Sequence, residues 1–310
     1  MGPKRMQRRG LNIRKALLRL ILPAVRKLPP RLASRFVAGI GRTEYALGKT
    51  LRVRFDQAVG RNASYFGVPW DVRSIGRQLA GNQIRWRTRD QLLDGMTPEA
   101  VAGLFAVEGR EHLDAALAEK KGVILLANHY GAHLMPAHWL VREAYPLRLF
   151  MERPHHISKF LNKEFDTDGP LGQKKLFISR KASPTEAAGS ILRAGRVLKA
   201  GMVVMIAGDV RWSGGSTAEA SFLGSTYRFS STWVTLAALT GAPIVPVFCR
   251  MESDGANHLE FLPSFHVPSD GAKPGRIEQY VQPCLARIEE RVRLHPENSN
   301  EYFFWDEKVS

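Results

Sequence analysis

The chain has 310 residues, 44% of them hydrophobic, a net charge of +16 and two cysteines. Its length suits one large domain or two modest ones with a substantial core, which argues against disordered and fibrous classes. Cys249 and Cys284 supply neither a disulfide framework nor a cysteine-based zinc site, so a reducing compartment is the default.

The basicity is mainly a property of one end. Residues 1–43 contain twelve Lys or Arg and no acid, while the remainder holds 33 bases against 29 acids. On a helical wheel, residues 11–28 place Lys15, Arg19, Arg26 and Lys27 on one side and Ile13, Leu17, Leu20, Ile21, Ala24, Val25 and Leu28 on the other, with a kink expected at Pro23. That pattern suits a helix lying in a membrane interface. A helix docked on its own domain and an RNA-binding tail are the alternatives. The uncharged run "LILPAV" is far short of the roughly 20 residues a span needs. Charges at Arg14, Lys15 and Arg19 also break the apolar region that a secretory signal requires. The expected organisation is a basic membrane-associating segment over 1–31, a helical region over 32–115 and an α/β domain over 116–310.

Helical periodicity dominates residues 32–115. Gly122 then hands the chain to the apolar strand "VILLA", and the uncharged run 122–141 reads as a buried strand joined to a helix. "LRLFM" and "KLFIS" are further short strands, with "HHISKFLNKEFD" expected to be helical between them. Ser183-Pro184-Thr185-Glu186 is a capping box with proline at the first helical position, opening a helix that runs to Gly201. "MVVMIAG" is the next strand and ends at Asp209. A Gly/Ser-rich loop is expected over 211–228, a helix from Ser231 to Thr240, the buried strand "PIVPVF", an edge strand "LEFLP" and an amphipathic helix "RIEQYVQPCLARIEERVRLHP". Apolar strands without polar alternation, separated by helices, predict an α/β fold: a mixed, mostly parallel sheet covered on both faces, preceded by helices.

Ligands gather beyond the carboxyl ends of strands in such a sheet. Three polar clusters fall there: Asn128-His129, Glu152-Arg153 and Asp209-Val210-Arg211. A histidine can take the proton from a hydroxyl as that oxygen attacks a thioester or ester carbonyl, a contribution of about 10² to 10⁴-fold that needs neither metal nor cofactor. His133 follows at a spacing that can chelate zinc on a helix, but the glutamate of H-E-x-x-H is absent, so no metal site is assigned.

"GVILLANHYGAHLMPAHWL", "FMERP", "LKAGMVVMIAGD", "SFLGSTYRFSSTWVTLAALTGAPIVPVFCR" and "HPENSNEYFFWDE" occur in that order. Together they resemble the blocks of the late lipid A acyltransferases, the lauroyl and myristoyl transferases of the lysophospholipid acyltransferase superfamily. The resemblance implies transfer of a fatty acyl chain from acyl carrier protein or acyl-CoA to a hydroxyl of a lipid A-like membrane glycolipid. It places the protein at an anionic membrane surface, on the cytoplasmic face of the inner membrane, peripheral or N-terminally anchored. His129 would be the general base, with Asn128, Arg153, Asp209, Gly224 and Arg250 as substrate-binding candidates. Arg153 would hold a phosphate of the lipid or carrier, or else pair with Glu152 at the surface; Asp209 would orient the donor, or cap the following loop. Trp212, Phe222 and Trp233 would line an acyl groove or belong to the core.

The family motif is a histidine followed, after four residues, by Asp or Glu, and here that position is Leu134. Losing the orienting acid of a catalytic triad costs about 10⁴ in turnover. Three routes stay open: His133 or a distant acid such as Glu152 or Asp209 takes its place, His129 works unassisted, or the protein binds acyl lipids without turning them over. Nucleic-acid binding draws only on the basic N-terminus, and the chain has no recognisable module for it.

Overall fold

The computed structural model of the protein describes residues 20–93, 96–152, 175–178, 183–214 and 216–305. Three long helices come first: α1 (Pro30–Leu47), α2 (Lys49–Phe66) and α3 (Val72–Leu93). Pro30 opens α1, where its missing N–H costs no bond, and Gly67 stops α2 in the left-handed conformation. The short helix α4 (Pro98–Ala102) starts from Thr97, whose hydroxyl accepts the Ala100 N–H. The expectation of helix over 32–115 fails at Phe105–Glu108, which forms strand β1. Its pairing partner is Asn257–Phe261, far downstream, so local periodicity carries no sign of it.

The remaining strands of the main sheet are β2 (Val123–Ala127), β3 (Leu147–Glu152), β4 (Lys175–Ile178), β5 (Val203–Ala207), β8 (Ile244–Met251) and β9 (Asn257–Phe261). Their order is β1-β9-β8-β2-β5-β3-β4. β8, β2, β5, β3 and β4 run parallel, β9 runs antiparallel to β8, and β1 follows β9. The fold is therefore the expected mixed, mostly parallel α/β sheet preceded by helices. "LEFLP" is not an edge strand, because β1 covers the outer side of β9.

Helices α5 (Arg110–Ala118), α6 (Met135–Arg142), α7 (Pro184–Lys199), α8 (Thr232–Thr240) and α9 (Glu278–Leu294) enclose the sheet. Ile124, Leu126, Val204 and Ile206 join one apolar cluster with Trp233 and Leu236 of α8 and Leu285 and Ile288 of α9. Val123, Leu125, Val203 and Met205 face the other way, onto Leu113 of α5 and Trp139 and Leu140 of α6. Each aliphatic side chain so enclosed contributes about 1.5–3 kcal/mol. Burial on both faces is why these strands read as unbroken apolar runs. The capping box of α7 forms as the sequence requires: Ser183 Oγ accepts the Glu186 N–H, and the Glu186 carboxylate accepts the Ser183 N–H at 2.8 Å.

The stretch expected to be a loop over 211–228 holds an antiparallel hairpin, β6 (Thr217–Phe222) and β7 (Ser225–Ser230). Ala218, Ala220 and Phe222 alternate inward, a period that the surrounding small polar residues obscure. Leu223 and Gly224 make the two-residue turn with φ of 50° and 79°, the positive pair that a tight hairpin demands.

Residues 20–25 are helical. Leu22 and Val25 are buried against Ala33 and Val37 of α1 and Ile84 and Leu92 of α3, and Arg26 Nε donates to the Gln91 carbonyl at 2.5 Å. The described part of the basic N-terminal segment thus spends much of its apolar side on its own domain rather than presenting it outward. Residues 1–19 and the expected helix "HHISKFLNKEFD" lie outside the described residues. Among the described residues, no helix is long and apolar enough to cross a membrane.

Candidate active site

β2 and β5 are neighbours in register, with Ala127 opposite Ala207. Each strand is followed by one residue and then a polar one: Asn128 and His129 after β2, Gly208 and Asp209 after β5. Equal overhangs on parallel, in-register strands put His129 beside Asp209 at the carboxyl edge of the sheet. The His129 Nδ1 lies 2.9 Å from Asp209 Oδ1, and the His129 backbone N–H donates to Asp209 Oδ2 at 2.7 Å. Tyr302, from helix α10 (Asn300–Phe303), donates its hydroxyl to the same Oδ2 at 2.7 Å. Of the distant groups weighed as partners for His129, Asp209 is the one that meets it.

The loop between β2 and α6 is fixed along its length. Asn128 Nδ2 donates to the Val247 carbonyl, and its Oδ1 accepts the Tyr130 N–H. Gly131 donates to the Asn298 carbonyl at 2.8 Å and Ala132 to the Cys249 carbonyl at 2.9 Å. Gly131 has φ of 60°, and a Cβ there would lie 2.1 Å from the Cys249 oxygen. Only glycine fits such a left-handed close approach. Tyr130 hangs its ring in the core and reaches the Arg291 and His295 carbonyls with its hydroxyl. Asn128 is therefore a buried loop clamp.

Asp209 is fully buried, whereas the His129 side chain is 31% exposed. Burial alone would push the Asp209 carboxyl up. The His129 imidazole, the two hydrogen bonds from His129 and the Tyr302 hydroxyl outweigh it and hold the carboxyl below its ordinary range. Burial, and then the Asp209 charge, push the Tyr302 phenol well above its ordinary value, so it stays a donor. An ionised carboxylate on Nδ1 fixes the imidazole tautomer that carries its lone pair on Nε2, the form a general base needs.

His133 stands against the same ring, with centroids 4.8 Å apart, and its Nδ1 accepts the indole N–H of Trp86 at 3.2 Å. Leu134 is the N-cap position of α6 and gives it no side-chain cap. Glu152 ends β3, which β5 separates from β2. Arg153 lies outside the described residues. Gly224 sits in the hairpin turn against the Tyr65 ring. Arg250 lies on β8 with Phe248, on the opposite sheet face from Cys249. Its Nε binds Glu252 at 2.5 Å and its Nη1 donates to His295 Nε2 at 2.8 Å. It lines a cavity of about 420 Å³ with Tyr130, Phe248, His258, Arg291 and His295. Phe222 and Trp233 are core residues, and Trp212 is partly exposed.

A second, apolar crevice of about 30 Å³ opens beside His133, between Trp86, Leu92, Met96, Ala132 and Met135. Tyr302 and Trp86 are the site residues that sequence reasoning passed over. The closing block "HPENSNEYFFWDE" was the available signal for Tyr302; nothing in the sequence pointed to Trp86.

The sequence that carries this site has counterparts in known proteins. A family model described as bacterial lipid A biosynthesis acyltransferase matches residues 7–305. The chain is also 27% identical over 191 residues to a phosphatidylinositol mannoside acyltransferase of Mycobacterium tuberculosis, recorded for two strains. That match covers 61% of this chain and 56% of the relative, so it spans a little over half of the relative's length. With the match running through the whole sheet and the His129 loop, the chain belongs to the bacterial lipid A biosynthesis acyltransferase family.

Proposed function

We propose that the protein O-acylates a sugar hydroxyl of an anionic membrane glycolipid, using an acyl thioester of acyl carrier protein or coenzyme A. His129 is the general base and Asp209 its orienting acid. The observation that carries this reading is the 2.9 Å contact between His129 Nδ1 and a buried, ionised Asp209. In the reaction, His129 Nε2 takes the hydroxyl proton as the acceptor oxygen attacks the thioester carbonyl carbon. The C–O bond forms, the C–S bond breaks, and the departing thiolate takes the proton back from the imidazolium as a thiol.

Both the family description and the mycobacterial relative's name point to glycolipid acceptors. The net charge of +16 suits an anionic acceptor. For the acyl chain, the crevice lined by Trp86 and Ala132 offers an apolar lining; Met96 and Met135, flexible and unbranched, would have to part to admit it. A peripheral seat on the membrane is supported by the helices that precede the sheet. Six of the ten exposed large apolar side chains among the described residues, Leu20, Leu32, Phe36, Leu47, Val53 and Tyr65, fall within residues 20–66. That stretch has nine bases and two acids. Exposed apolar side chains in a cationic stretch suit an anionic interface.

The test is acyl transfer from a labelled acyl-carrier thioester or acyl-CoA to purified bacterial glycolipid. The parent should give acylated lipid and free thiol in equal amounts, and His129→Ala should lose activity by at least about 10²-fold. A His129→Ala protein as fast as the parent would rule out the base assignment.

A further inference from the structure

We infer that Trp86 is a positioning residue for this reaction: its indole N–H holds His133 as a neutral imidazole beside the His129 base. The inference rests on the reading of His129 as that base. An indole nitrogen donates and never accepts. With Trp86 Nε1 3.2 Å from His133 Nδ1, that nitrogen must carry a lone pair, and the ring's proton sits on Nε2. Protonating Nδ1 would set two N–H groups head to head.

The charge state matters because the two imidazoles are neighbours, 4.8 Å between centroids. When His129 takes the acceptor proton it becomes a cation, and a second cation in van der Waals range would oppose that step. The charged groups on the surrounding elements have contacts of their own, and Glu301, next to Asn300 on α10, acts on Arg89. Arg89 of α3 stacks on the Trp86 ring at 4.8 Å, and Arg85 of α3 is buried against the carbonyls of Glu252, Gly255 and Ala256. Asp90 is engaged by His138 at 3.0 Å and by Arg89 at 3.5 Å, and Asp209 is engaged by His129 and Tyr302. Position 134, where the family motif has its acid, holds Leu134. The indole is itself held in place: Arg89 Nη1 donates to the Trp86 carbonyl at 2.5 Å, and the Trp86 side chain walls the crevice with Ala132 and Met135.

The pH profile of kcat/KM on the full-length protein tests this. The parent should lose activity about tenfold per pH unit on its acid side, one proton being taken up by His129. Trp86→Phe removes the donor and leaves His133 Nδ1 open to a proton, so the limb should steepen from tenfold to about 100-fold per unit once the pH is low enough for both rings to protonate. Adding His133→Asn to Trp86→Phe removes the second titrating ring and should restore the tenfold slope. An unchanged slope in Trp86→Phe, or a steep one in the double variant, overturns the inference. Should Trp86→Phe fail to fold, long-range ¹⁵N–¹H spectra of the parent labelled at histidine decide: His133 must show the Nε2–H tautomer, and a proton on Nδ1 refutes the proposal. His129→Ala separates the two readings, since an active His129→Ala protein defeats the base assignment, whereas an inactive one with an unaltered Trp86→Phe slope defeats only the role of Trp86.

Discussion

Tyr302 donates its hydroxyl to Asp209 Oδ2 across 2.7 Å, on the same oxygen that accepts the His129 backbone N–H. Replacing it with phenylalanine removes one of three hydrogen bonds from a buried carboxylate. Bonds to a charged group of this kind contribute about 1.5–3 kcal/mol. Tyr302→Phe should lower stability by that amount in urea unfolding and slow acylation about tenfold, because Asp209 is then held less firmly against the imidazole.

Asp209→Asn should cut kcat by about 10² to 10⁴-fold with KM little changed. With the asparagine oxygen toward the His129 backbone N–H and Tyr302, its amide nitrogen donates to His129 Nδ1 and forces the tautomer whose proton sits on Nε2, which cannot act as the base. The same variant tests the pH dependence of stability. Because the folded state holds the Asp209 carboxyl below its ordinary range, its contribution is complete above about pH 4, the ordinary aspartate value, and is lost as pH falls through the lowered folded value. Stability of the parent should therefore fall more steeply from about pH 4 downward than that of Asp209→Asn, as read by denaturant midpoints.

Restoring the family acid should gain little. The single Nδ1 proton of His129 is already taken by Asp209. Leu134→Glu is expected to change kcat by no more than about twofold. A large increase would mean that Asp209 does not orient the base.

Gly131→Ala combines a left-handed φ of 60° with a Cβ 2.1 Å from the Cys249 carbonyl oxygen. The backbone conformation alone costs alanine about 1–2 kcal/mol, and the clash adds to it. A loss of at least about 3 kcal/mol in stability and a large loss of activity should follow together, measured by calorimetry and initial rates.

Phe36 and Leu47, eleven residues or about three turns apart, are exposed on α1, whereas Val37 and Tyr45 of the same helix are buried. If this side meets lipid, Phe36→Ser with Leu47→Ser should weaken binding to anionic vesicles by tenfold or more, about 1.5–3 kcal/mol for each side chain that loses its burial. Activity on detergent-dispersed substrate should be preserved. Unchanged vesicle binding in co-sedimentation would place the contact elsewhere.

Much of the sheet could be read in the sequence because its strands are buried on both faces and bounded by turn residues, as Gly122 and Gly241 show. The α7 capping box could be read for the same local reason. Strand neighbours could not. "VILLANH" and "VVMIAGD" carry the same spacing from strand to polar residue, yet only the adjacency of β2 and β5 reveals that His129 and Asp209 meet. The β6–β7 hairpin was hidden because its inward residues are mostly alanine, a weak period-2 signal. Contacts from Tyr302 and Trp86 depend on distant chain segments and have no local mark.

The placement of β5 between β2 and β3 also orders the steps by which the chain can fold. β3 and β4 leave the ribosome before the strand that must lie between β3 and β2, so an N-terminal fragment ending before Val203 contains the histidine loop but no central strand to complete the sheet. Such late insertion is a non-local event that slows folding and leaves strand edges open to wrong pairing in the interim. His129 and Asp209 therefore meet only late in synthesis, once β5 has entered the sheet, and the Tyr302 contact forms later still.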